Sequence, residues 1–269
     1  MPPATDHAPT DVGCMLRGWR AQRRRSQLDL ALDVGVSARH LSFIETGRAR
    51  PSASMLSALA ERLEVPLRER NRMLLAAGYA PRYHERSLDD VEMSRVRAAL
   101  ETLLGAHEPN PGVVLDRQWN VVLANRPAAM LTAGLPSFLK EPRVNIFRAS
   151  LHPDGLAAAT ENFDEWAAYL LQTLERAAAT ASDPGLDLLR REVLAYPTVQ
   201  RLALREWHDA PASNPLLVPF TVRTPIGRLS MFTTLTTFGT PRDISLEELC
   251  VELFYPVDAE TERLLRAAG

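Results

Sequence analysis

The chain has 269 residues, 46% of them hydrophobic, and a formal net charge of −2. That length exceeds one small module and suffices for two compact cores. No run reaches the ~18 apolar residues of a membrane-spanning helix, and Met1 to Asp11 lacks the basic-then-apolar pattern of a secretory signal. The two cysteines, Cys14 and Cys250, stand far apart with no CxxC or Cys/His ligand spacing. A disulfide framework and a zinc site are thereby excluded at the level of pattern, and reduced thiols in the cytoplasm are expected. No cofactor or metal is expected.

Charge is divided unevenly. Residues 1–84 carry 13 arginines against 8 carboxylates, whereas residues 85–269 carry 18 basic against 25 acidic groups. A basic small unit joined to an acidic larger one suits a DNA reader attached to a domain that avoids DNA.

Residues 1–11 read as a disordered leader and 12–78 as five short helices. Val12, Met15, Leu16 and Trp19 share one face of the first, over 12–24. Ser26 caps a second, 27–33, which buries Leu30 and Ala31. Ser37 caps a third, 38–45, which buries Leu41 and Ile44 and stops at Gly47. Pro51 and Ser52 or Ser54 open a fourth, with Leu56, Leu59 and Leu63 as its stripe. A fifth spans 67–77 and Gly78 closes it. Residues 79–93 read as a linker. From 94 the pattern becomes α+β. A helix over 94–104 precedes a hairpin of 113–116 and 120–124. Helices follow at 125–132, 160–181 and 185–195, then antiparallel strands at 216–224, 227–237 and 249–255. This second region, 94–269, reads as one domain.

The stretch Ser26 to Gly47 has the marks of a helix-turn-helix. Gly35 permits a tight bend, Val36 tucks under the corner, and Ala31 keeps the two helices close. The exposed residues of the second helix then project together into a major groove. Residues 12–78 resemble the lambda-repressor-like, XRE-type helix-turn-helix proteins. The resemblance implies a phosphate contact from Gln27, base contacts from Ser37, Ala38, Arg39 and Phe43 with His40 and Ser42 flanking them, and a phosphate contact from Arg48. It also implies a structural ion pair between Arg20 and Glu45. Ala38 and Phe43 depart from the polar residues common at those positions and offer only apolar contacts, such as to thymine methyls. Arg39 and His40 are therefore the expected base readers. Arg23, Arg24 and Arg25 read as a solvated or phosphate-facing cluster. One such unit reads half an operator, so a homodimer on double-stranded DNA is expected, with half-sites ~34 Å apart.

Further runs extend the likeness: SARHLSFIETGRAR (37–50), PLRERNRMLLAAGYAP (66–81), DRQWNVVLAN (116–125), NIFRASLHPDG (145–155), TTLTTFGTP (233–241) and ELFYP (252–256). With these the chain resembles the MmyB-like transcription regulators. The resemblance implies a PAS-like C-terminal domain, an antiparallel sheet with helices on one side, that binds a small lipophilic molecule of the fatty-acid class. Trp119, Phe147, Trp166, Phe220 and Phe232 are the apolar candidates for a pocket, and Arg148, His152 and Arg223 the polar ones for an acidic group. Two alternatives stand beside this reading. In one, the C-terminal domain is a protein-interaction and dimerisation module with no small ligand. In the other it is an enzyme with a DNA-binding appendage, for which the sequence supplies no nucleophile motif, phosphate loop or metal spacing.

Overall fold

The computed structural model describes residues 11–180, 183–202 and 217–269. Internal contacts divide the chain into two units, one of residues up to Ser87 plus Gly239–Glu247, the other of Leu88–Phe238 plus Glu248–Gly269. Of the expected leader, all but Asp11 lies outside the described residues.

Three serines start helices in the first unit. Ser26, Ser37 and Ser52 accept the amides of Asp29, His40 and Met55, each at 3.1 Å, so the choice between Ser52 and Ser54 falls to Ser52. The helices are α1 (Asp11–Gln22), α2 (Gln27–Asp33), α3 (Ala38–Glu45), α4 (Ala53–Arg62) and α5 (Leu67–Ala76). Gly35 turns the chain between α2 and α3 at φ +73°, a conformation that costs other residues strain. The expected stripes meet in one core, with Leu16, Leu30, Ala31, Leu41, Ile44, Leu59 and Leu63 almost wholly buried. Val36 packs against it half-buried. Pro66 gives α5 no side-chain cap. Glu247, from the distant stretch 239–247, supplies one by accepting the Leu67 amide at 2.7 Å, a negative charge at the positive helix end. Asp243 pairs with Arg86 at 2.8 Å, and the Ile244 amide donates to the His84 carbonyl. The run expected to be a linker is thus in part tied down.

After a 3-10 turn at Val91–Met93 the chain continues through α6 (Ser94–Ala106), β1 (Gly112–Leu115), β2 (Val121–Ala124), α7 (Arg126–Thr132), α8 (Ser137–Lys140), α9 (Ile146–Leu151), α10 (Phe163–Thr180), α11 (Pro184–Leu194) and α12 (Pro197–Gln200). It ends with β3 (Phe220–Thr224), β4 (Gly227–Thr237), α13 (Ile244–Glu248), β5 (Cys250–Pro256) and α14 (Ala259–Ala268). The strand expected from Leu216 begins at Phe220, and Leu216 itself lies outside the described residues, as does Ala181 at the end of the expected helix 160–181. The five strands form one antiparallel sheet in the order β2-β1-β5-β4-β3.

Side-chain alternation assigns the faces. Phe220, Val222, Leu229, Met231 and Phe254 join Trp166, Leu170 and Leu174 of α10 and Phe147 of α9 in the main core. On the other face, α6 approaches Gly112, where a β-carbon would lie 3.0 Å from both Leu104 and Leu253. The helices, expected on one side, therefore lie against both faces. Asn125 ties the hairpin in place. Its Oδ1 accepts the amides of Gly112 and Ala128, and its Nδ2 donates to the carbonyls of Leu104 and Asn110.

Candidate functional site

The first candidate surface is built on α2 and α3. Glu45, wholly buried at the end of α3, accepts two hydrogen bonds from Arg20 at 2.6 and 2.9 Å and one from Gln27 at 2.8 Å, with Arg17 at 3.8 Å. Burial pushes the Glu45 carboxyl up, but the bonds from Arg20 and Gln27 outweigh it and hold it below the usual range. The Arg20 guanidinium is correspondingly raised by Glu45. The network fastens α1, α2 and α3 at the corner of the helix-turn-helix, and it places Gln27 at the start of α2 with its amide already engaged.

Arg39 and Ser37 are exposed at the start of α3, Ala38, His40, Ser42 and Phe43 are half-buried along it, and Arg48 is exposed beyond Gly47. The Arg39 guanidinium carbon lies over the Phe43 ring, 5.3 Å from its centroid. Of the neighbouring arginines, Arg23 is spent on the Leu63 and Glu64 carbonyls and Arg25 on Asp33 at 2.5 Å, while Arg24 is exposed.

The second candidate is a cavity of about 360 Å³ in the other unit. Phe220, Val222 and Leu229 of the β3–β4 hairpin, Met130, Leu131 and Leu135 of α7 and the turn after it, Leu156 and Leu265 line it, together with Glu108 and Asp154. Arg126 and Arg223 stand at its edge. Arg126 donates to the Ala268 and Gly269 carbonyls and Arg223 to that of Ala158.

Of the eight residues expected at a pocket, Phe220 and Arg223 line this cavity and six do not. Phe147 is fully buried and Trp166 packs on Phe220 at 5.0 Å, so these two are core, and Trp119, half-buried, packs on Phe147 at 5.2 Å. Phe232 projects from the other sheet face and stacks on Tyr255. Arg148 makes a two-pronged pair with Glu192 at 2.8 Å, which also takes the Tyr196 hydroxyl at 2.6 Å. The bond from Arg148 holds the Glu192 carboxyl low, and burial together with Glu192 pushes the Tyr196 phenol up. His152 sits between the rings of Phe138 and Tyr196. Sequence reasoning missed Arg126, Leu131, Leu135 and Leu156. The alternation of Phe220, Val222 and Leu229 was the one available signal, since the other walls come from segments far apart in the chain.

Comparison with known proteins bears on both candidates. The family model for the MmyB-like transcription regulator ligand binding domain matches residues 96–268. The chain belongs to this family. A helix-turn-helix family model matches residues 16–70 of the same MmyB-like chain. It therefore combines a helix-turn-helix with the ligand-binding-type domain of the MmyB-like transcription regulators. The transcriptional regulator ClgR of Mycobacterium tuberculosis, from strain CDC 1551 / Oshkosh and from strain ATCC 25618 / H37Rv, is 41% identical over 56 residues, covering 21% of this chain. The MmyB-like chain spans about half the length of these curated relatives. A solved structure of an RNA-binding light-oxygen-voltage receptor aligns with 96% of this chain and 61% of its own at 13% identity, but its TM-score of 0.26 carries no argument. Among the described residues no helix is long and apolar enough to cross a membrane, and no group of His, Cys, Asp or Glu is placed to hold a metal.

Proposed function

We infer that this regulator works in the cytoplasm as a homodimer that reads operator DNA with α3 and responds to a small lipophilic, fatty-acid-like molecule held in a PAS-like C-terminal domain. The carrying observation is the surface of α3. A capped helix, locked at its far end by Glu45, presents Arg39 with no ion-pair partner among the described residues. Ser37, Ala38, His40, Ser42 and Phe43 would face the bases beside it, with Gln27 and Arg48 on the phosphates. The antiparallel sheet and its cavity support the ligand reading. Most of the lining is apolar, as a hydrocarbon body requires, and Arg126 and Arg223, which share the lining with Glu108 and Asp154, suit an acidic head.

Two measurements test this. Selection from a randomised 20-base-pair duplex library with the full-length protein should enrich paired half-sites about ten base pairs apart. No enrichment refutes DNA reading, and single half-sites refute the dimer. Native mass spectrometry followed by solvent extraction should recover a bound lipophilic acid. Its absence, with no binding of added dodecanoate, refutes the ligand.

A further inference from the structure

Phe43 stands where an apolar base contact was expected, yet its ring is occupied. It lies four residues after Arg39, one helical turn on, and therefore on the same face of α3. The guanidinium of Arg39 sits over that ring at 5.3 Å. Phe43 is half-buried, and it is absent from the core cluster that Leu41 and Ile44 enter on the opposite side of the helix. Three other arginines around this corner are held by acids, Arg17 and Arg20 by Glu45 and Arg25 by Asp33. Arg39, the arginine of α3, has its guanidinium carbon over an aromatic ring, a contact that restrains the side chain without neutralising it.

A guanidinium held over a ring face keeps its N–H edge available to a partner beyond the ring. That edge matches the O6 and N7 acceptors that guanine presents in the major groove, a pair that arginine contacts in a two-pronged fashion. The flexible stem of an arginine normally loses rotamer freedom on binding, and a side chain already held loses less. The peptide beneath is also fixed, because the Phe43 carbonyl accepts the amides of both Arg48 and Ala49.

We propose that Phe43 is a positioning residue that makes Arg39 a guanine reader, so that each operator half-site carries a guanine whose recognition depends on the Arg39–Phe43 stack. This rests on the α3 reading above.

The test uses the full-length protein and the duplexes that the wild type selects. Phe43→Ala should lower the preference for guanine over the other bases at one half-site position by about fivefold or more. Its melting temperature should stay close to wild type. Arg39→Lys, which keeps the charge and loses the fork, should lose preference at that same position. Phe43→Tyr, which keeps the aromatic face, should restore it. The proposal is overturned if Phe43→Ala keeps the guanine preference, if it instead loses a thymine preference elsewhere in the half-site, or if Phe43→Tyr folds and fails to rescue. A wild type that selects no duplex overturns this proposal and the α3 reading together. One that selects a motif indifferent to Phe43 overturns this proposal alone.

Discussion

Glu45 and Glu252 are both buried acids, and their environments drive them in opposite directions. Glu45 is held ionised by Arg20 and Gln27, so its stabilising contribution is present above the ordinary carboxylate range and is lost as pH falls through its lowered value. Glu252, on the central strand β5 and 3% exposed, has one carboxylate oxygen with no partner, and burial raises it to about 7 against a weaker opposing bond from Thr233. The folded state then holds a proton that the unfolded chain releases near pH 4.5, so stability falls as pH rises from there through about 7. Denaturant titrations should show stability rising from acid toward pH 5 and declining toward pH 8. Glu252→Gln should flatten the upper limb, removing a loss on the order of 3 kcal/mol. A limb unchanged in that variant would assign the decline to another group.

At the scale of elements, caps and periodicity were legible. Ser26, Ser37 and Ser52 begin helices because a serine hydroxyl answers an amide that the helix leaves unpaired, and that chemistry is local. Ser37→Ala should cost about 1 kcal/mol, and hydrogen exchange should quicken first at the His40 amide, whose acceptor is lost. Equal exchange in variant and wild type would remove the cap from the account of α3. Asn125 was legible as the start of α7, but its two bonds to α6 and the loop after it were not, since they cross up to 21 residues. The short helices α8, α9 and α12 went unread because four to six residues span too few turns to show a period of 3.6. Trp119 packs on the core from a backbone at φ +65°, so the expected hairpin turns there although no glycine marks the left-handed position. Arg148 looked available for a ligand because its partner, Glu192, comes 44 residues later on α11.

At the scale of the molecule, the charge division and the two-part architecture were readable from composition, whereas sheet order and cavity were not. Order depends on which strands meet across long connections, and the cavity on walls drawn from the loop before β1, α7, the turn after α9, β3, β4 and α14. The unforeseen feature is that the helix-turn-helix unit, the DNA reader proposed above, is discontinuous. Residues 239–247 give α5 its acidic cap and Arg86 its counter-ion, although they are encoded between two strands of the other unit. A fragment ending at Ser87 should therefore melt below the same fragment supplied with a peptide of residues 239–247, as calorimetry would show, and equal melting would make that stretch dispensable. The consequence reaches past stability to modularity. A recombination event or an engineered chimera that joins this reader to a different sensor by a single junction near residue 87 leaves part of the reader behind. Swaps that respect the architecture need more than one crossover, so the reader and the sensor are constrained to be inherited as a pair.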